Sequence, residues 1–160
     1  MTVAAELVAA LRERGWTLGV AESLTGGAVS SAIVAVPGAS SVLNGAVVAY
    51  ATPVKHSVLG VDADLLVEHG PVHPQVAEQL ADGVRVAVAV EGRPADVGIS
   101  TTGIAGPASP DGQPVGTVHV GVATPDGVQS FSFRFGGDRE EIRRQSVDAV
   151  ISAALRAVQE

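Results

Sequence analysis

The sequence predicts an α/β fold, a three-layer α/β/α sandwich built on a five-stranded mixed sheet, and three observations predict it. Short apolar runs alternate with segments of helical periodicity along the first hundred or so residues, the order expected of strand and helix units. Two strands with alternating Val and Phe then follow one another across a tight turn, which adds an antiparallel hairpin. The composition agrees: 46% of residues are hydrophobic and only 3% aromatic, so the core is made of Val, Ala, Leu and Ile, which suits a sheet covered by helices.

Each element has a local reason. Val3, Leu7 and Leu11 recur at helical spacing over residues 2–14, and Gly15 stops that helix. Residues 17–20 form a short strand, and 24–36, rich in Ala and Val, form a buried helix ended by Pro37-Gly38. The continuous apolar run 46–50 suits a strand covered on both faces. Pro53 then opens a short helix carrying Lys55, and a second short helix follows the loop at Val61-Asp62.

Residues 74–90 fit a helix through Val76, Leu80, Val84 and Ala87, and a strand through Val84, Val86, Val88 and Val90; helix is favoured, with Pro74 at its start. Residues 96–100 form a strand closed by Thr102-Gly103-Ile104-Ala105-Gly106-Pro107 and a polar loop to Pro114. Val118, Val120 and Val122 share one strand face, the Thr124-Pro125-Asp126-Gly127 turn follows, and Phe131, Phe133 and Phe135 alternate on the partner strand. Asp138 caps the last helix, with Glu141 in capping-box position. The order gives three crossovers before the antiparallel strands. In such sheets ligands sit outside the carboxyl ends of the parallel strands, where Ser23, Tyr50 and Thr102 fall.

At 160 residues the chain can bury one core, and a single domain, 1–160, is expected. A formal charge of −7 argues against a non-specific nucleic-acid binder but is compatible with a small phosphorylated ligand. The absence of cysteine excludes disulfides, thiolate catalysis and Cys-ligated metals, and fits a reducing compartment. Met1-Thr2-Val3 runs into charged residues without a secretory apolar region, and no run of about 18 apolar residues could span a bilayer. A cytoplasmic protein with neither membrane nor nucleic-acid partners is therefore expected.

Ser23, at a strand-to-helix turn, is either a nucleophile needing an adjacent base or a helix N-cap. Lys55, five residues beyond an apolar strand, is either that base, its charge disfavoured by burial, or a solvated lysine. Tyr50, the only tyrosine, offers a polar handle at the pocket or packs at its rim. The loop from Thr101 to Pro107 is either a cradle of backbone donors or an ordinary turn, and it carries neither a Walker pattern nor a dinucleotide fingerprint. His69 and His73 are four apart, but Gly70 and Pro71 break any helix that would align the rings, so no metal site is expected. Arg139, Arg143 and Arg144 either meet anionic ligand groups or pair with Glu140 and Glu141, and surface pairing is favoured.

Ala21-Glu22-Ser23-Leu24-Thr25-Gly26-Gly27, Val47-Val48-Ala49-Tyr50 with Lys55 and Leu59-Gly60-Val61, the Thr102 to Pro107 turn, Pro114-Val115-Gly116-Thr117-Val118 and Gly137-Asp138-Arg139-Glu140 come in one order. Together they resemble the C-terminal domain family of the competence/damage-inducible protein CinA over nearly the whole chain. The resemblance implies a cofactor-independent nicotinamide-nucleotide amidase, converting nicotinamide mononucleotide to nicotinate mononucleotide and ammonia in pyridine nucleotide recycling. Carried over, it implies Ser23 as nucleophile, Lys55 as base and Tyr50 as a polar partner. Thr25, Gly26, Gly27, Thr102 and Gly103 are the implied substrate-binding residues, the glycine turns giving donors to phosphate and oxyanion.

The chain departs from that pattern at Leu24, where many relatives have Cys, at Thr52-Pro53, where Asn-Glu is frequent, and at 108–113, which lacks a Gly-Gly and Lys pattern. Without the molybdopterin-binding-like N-terminal domain of larger relatives, a stand-alone form lacking that domain's pyrophosphatase activity is expected, assembled as a homo-oligomer. The competing expectation is a catalytically inactive nucleotide-binding or regulatory module of the same fold.

Overall fold

The computed structural model describes residues 1–160. The chain runs through α1 (Val3–Arg14), β1 (Leu18–Glu22), α2 (Ala28–Val34), a single 3₁₀ turn (Ala39–Ser41), β2 (Leu43–Val48), α3 (Thr52–Ser57), α4 (Ala63–His69), α5 (Pro74–Ala87), β3 (Val97–Gly103), β4 (Thr117–Thr124), β5 (Gly127–Arg134) and α6 (Arg139–Gln159). The helix ends carry the chemistry read from the sequence. Gly15 closes α1 in the left-handed region, Pro sits in the first turn of α5, and Asp138 and Glu141 form a reciprocal capping box on α6.

The five strands lie in the order β2-β1-β3-β4-β5. β1 pairs in parallel with β2 and β3, and β4 runs antiparallel to both β3 and β5. There are thus two parallel crossovers, not three, because the return from β3 to β4 is a loop rather than a helix.

Period-two alternation divides the sheet into two unlike faces. Leu18, Val20, Val97, Ile99, Val118, Val120 and Val122 face α1, α2 and α6 and join the larger aliphatic core. The opposite face carries small residues under α5. A Cβ on Gly98 would fall on the Ala81 carbonyl and one on Gly121 on that of Ala77, so these glycines set how close the helix lies. Ala21, Val76, Leu80 and Val84 form a smaller core there with Ala49, Leu59 and Val61.

Four boundaries differ from expectation. β1 continues to Glu22, and α2 begins at Ala28 rather than at residue 24, because Gly26 and Gly27 both take left-handed φ and hold 23–27 as a turn. β2 spans 43–48 and is half-exposed: its apolar run marks an edge strand, not one covered on both faces. β3 extends to Gly103 and so takes in Thr101 and Thr102. No helix is long and apolar enough to cross a membrane.

Candidate active site

The carboxyl ends of β1, β2 and β3 open into a cleft of about 410 Å³ whose lining includes Ser23, Tyr50, Lys55, Thr102, Gly103 and Arg139. Ser23 follows the last residue of β1, and its side chain meets Lys55, which α3 projects from the next crossover. Lys55 Nζ lies 2.9 Å from Ser23 Oγ, 2.5 Å from the Ala49 carbonyl oxygen and 3.4 Å from that of Tyr50. Lys55 is 1% exposed, and burial lowers its pKa to about 8. As an ammonium Nζ donates to all three oxygens; once neutral it keeps two N–H bonds for the two carbonyls and can turn its lone pair to the serine hydroxyl. Thr52 and Pro53 occupy the first turn of α3, whose end presents Lys55 into the cleft.

Ser23 is not a helix cap. The N-cap of α2 is Gly27, and the capping acceptor is the buried carboxylate of Glu22, one residue before the serine. Its two oxygens accept from Gly27 N (3.0 Å), Val29 N (2.9 Å), Ser30 N (3.0 Å) and Ser30 Oγ (2.6 Å). The same bonds correct the expectation that Gly26 and Gly27 present free donors to a ligand. The Gly27 N–H is held by Glu22, and the Gly26 N–H donates to the Ser23 carbonyl at 3.1 Å. Thr25 is fully buried, with its hydroxyl 2.8 Å from that of Thr101. Thr25, Gly26 and Gly27 therefore shape the turn and do not line the cleft.

Thr102 and Gly103 do line it. The Thr102 hydroxyl donates to the Pro71 carbonyl at 2.6 Å, tying β3 to the loop before α5, and a side chain on Gly103 would collide with β4. Tyr50 is 62% exposed, and its hydroxyl accepts from Arg139 Nη2 at 3.2 Å. No hydrogen bond joins that hydroxyl to Ser23 or Lys55, so the ring stands at the rim while the Tyr50 backbone carbonyl faces the amine.

Of the three arginines expected to pair on the surface, only Arg143 does so, with Glu140. Arg139 has no carboxylate partner; it donates to the Gly106 carbonyl at 2.7 Å and to Tyr50 and leaves a guanidinium at the cleft mouth. Arg143 pairs with Glu140 but also donates through Nε to the Leu24 carbonyl (2.9 Å) and through Nη2 to that of Thr25 (3.2 Å). Arg144 is exposed. The His69 and His73 rings stack 4.4 Å apart, because the turn between α4 and α5 folds back where a broken helix was expected to separate them. His119, facing α5 on β4, has its pKa lowered by burial and by His73.

Sequence reasoning gave no role to Glu22 or Asp111, and placed Thr101 only at the start of the glycine-rich loop. Thr101 Oγ1 accepts from the Ser23 N–H at 3.2 Å, and Asp111 reaches the cleft from the 108–113 loop. Only Glu22 carried a local signal, an acid a few residues ahead of a helix start. Thr101 and Asp111 meet the site through contacts that no local pattern encodes.

Over residues 1–158 the chain matches the family described as the CinA C-terminal domain. It is 44% identical over 146 residues to a CinA-like protein of Frankia casuarinae, a match covering 91% of this chain and 33% of that protein. The chain spans about a third of the length of the curated relatives it matches. The crystal structure of a CinA superfamily protein from Klebsiella pneumoniae superposes with a TM-score of 0.91 at 29% identity, covering 98% of this chain and 96% of that one. The competence/damage inducible protein CihA of Agrobacterium tumefaciens gives a TM-score of 0.87 at 30% identity, covering 100% of this chain and 98% of its own.

Proposed function

This chain belongs to the CinA C-terminal domain family, and from that premise we propose that it is a serine amidohydrolase acting on the carboxamide of nicotinamide mononucleotide. The observation that carries the reading is the buried Lys55 amine, lowered to a pKa of about 8 and 2.9 Å from the Ser23 hydroxyl. A serine is a weak nucleophile until a base takes its proton, and a lysine that is partly neutral near pH 8 is such a base.

Ser23 Oγ attacks the carboxamide carbon as its proton passes to Lys55 Nζ, which gives a tetrahedral oxyanion. Collapse breaks the C–N bond, and Lys55 returns the proton to the departing nitrogen, releasing ammonia and leaving a nicotinoyl ester on Ser23. Water, deprotonated by Lys55, attacks that ester; nicotinate mononucleotide leaves and the serine hydroxyl is restored. The Ala49 and Tyr50 carbonyls accept from the amine and so aim its remaining position at Ser23 when it takes the serine proton. Arg139, at the cleft mouth without an acidic partner, is the cation available to the substrate phosphate, while Thr102 and Gly103 form the wall of β3. We assign the protein to the cytoplasm.

The test is incubation of purified protein and Ser23→Ala with nicotinamide mononucleotide, with and without chelator, measuring ammonia and nicotinate mononucleotide. Equimolar products from the unmodified protein alone, indifferent to chelator, are the expected outcome. The pH dependence of kcat should rise through about pH 8, because the base acts when Lys55 is neutral. Thermal stabilisation by the nucleotide with no product would replace the amidase by a binding module.

A further inference from the structure

We propose that Arg143 is a positioning residue: by holding the Leu24 and Thr25 carbonyls it pins the turn that presents the Leu24 N–H as the oxyanion donor beside Ser23. The inference rests on reading Ser23 as the nucleophile.

Within 23–28 every other backbone donor is engaged. Ser23 N–H donates to Thr101 Oγ1 (3.2 Å), Gly26 N–H to the Ser23 carbonyl (3.1 Å), Gly27 N–H to Glu22 (3.0 Å) and Ala28 N–H to the Thr25 carbonyl (3.0 Å). The N–H groups of Leu24 and Thr25 donate to nothing in the protein, although Leu24 is 5% exposed and Thr25 fully buried. A buried N–H without an acceptor is costly, and of these two residues Leu24 lines the cleft directly after the nucleophile, so its N–H is a donor kept for an acceptor that arrives with the substrate.

Arg143 fixes the peptide that follows Leu24. The only cis peptide bond is Gly106-Pro107, so the Leu24–Thr25 peptide is trans and its N–H points away from its carbonyl. That carbonyl is held by Arg143 Nε at 2.9 Å. The guanidinium comes from α6, in the layer of α1, whereas Lys55 comes from α3, in the layer of α5. The two cations therefore hold the turn and its serine from opposite sides of the sheet. The second bond of Arg143, to the Thr25 carbonyl, fixes the following peptide at the same time.

The test compares the unmodified protein with Arg143→Gln and Arg143→Lys. One readout is kcat and KM on nicotinamide mononucleotide; the other is the rate at which a fluorophosphonate labels Ser23. In that labelling the Ser23 Oγ–P bond forms, fluoride leaves, the proton passes to Lys55, and the phosphoryl oxygen occupies the proposed site. Arg143→Gln should lower kcat and labelling together by about 10- to 100-fold, the range for a weakened oxyanion donor. KM and the pH midpoint set by Lys55 should stay in place, and Arg143→Lys, a point charge reaching one carbonyl, should recover part of the loss.

Full labelling by a folded Arg143→Gln overturns the inference, as does a loss that comes with a shifted pH midpoint. Should Arg143→Gln fail to fold, full labelling by Arg143→Lys overturns it and a partial loss supports it. Arg143-dependent labelling without any turnover of the nucleotide by the unmodified protein would overturn the substrate assignment alone.

Discussion

The two faces of the sheet bury their helices by opposite means. Toward α1, α2 and α6 the strands project Val, Leu and Ile into a core of 24 buried residues; toward α5 they project Gly, Ala, Ser and Thr, and the core there has 8. On the first face, side-chain volume fills the gap. On the second, its removal lets the helix backbone approach, and hydroxyls bond directly to helix and loop carbonyls, Ser100 to Ala77 at 2.5 Å and Thr102 to Pro71 at 2.6 Å. The aliphatic face can lose a methylene and relax, whereas the thin face has no slack, and Lys55 enters the cleft from that side. Where a titratable amine must be held in place, the fold relies on backbone contact rather than on interdigitated side chains.

The comparison is sharpened first at Lys55. Lys55→Met should lower amidase turnover by about 10⁴-fold, measured as ammonia release, and should also remove a pH term from stability. In the folded protein Lys55 titrates near 8, against 10.5 unperturbed. Between these values the unfolded chain holds a proton that the folded chain has lost, so the stability of the unmodified protein rises with pH across that window. Below it both states are protonated and the burial penalty is present in full. Denaturant midpoints at pH 7 and pH 10 should converge in Lys55→Met; the same rise in both proteins would place the titration elsewhere.

Gly98→Val comes next. Its side chain meets the Ala81 carbonyl, and overpacking there should cost about 3 kcal/mol, read from urea unfolding. A loss near zero would mean that α5 is free to retreat and would break the comparison. Ile99→Val, one residue along but on the aliphatic face, should cost about 1 kcal/mol and leave turnover intact.

Fold class was legible because it rests on local pattern: alternation in 118–122 and 131–133, helical spacing in 3–11 and 74–87, and a capping box at Asp138. Where local pattern is silent about neighbours, the reading slipped. The apolar run at β2 records hydrophobicity but not its place at the edge of the sheet. Apolar Leu24 followed by two glycines passes as the start of a helix until their left-handed φ values are known. Ser23, Lys55 and Thr102 were named from sequence and share one cleft. Glu22, Thr101 and Arg143 were given other roles or none, because each acts through a partner distant in sequence or through its backbone.

The ties that hold the 23–27 turn also order events in time. Ser23 is joined to Lys55 across 32 positions and to Thr101 across 78, and Arg143 reaches Leu24 across 119. Each contact closes a longer loop of chain than the last, so none can persist until the intervening strands have paired. During synthesis the serine and the lysine leave the ribosome long before α6 exists. A growing or half-folded chain thus carries the hydroxyl and the amine before α6 can reach their turn, and the 23–27 segment gains its last tie only when that helix docks.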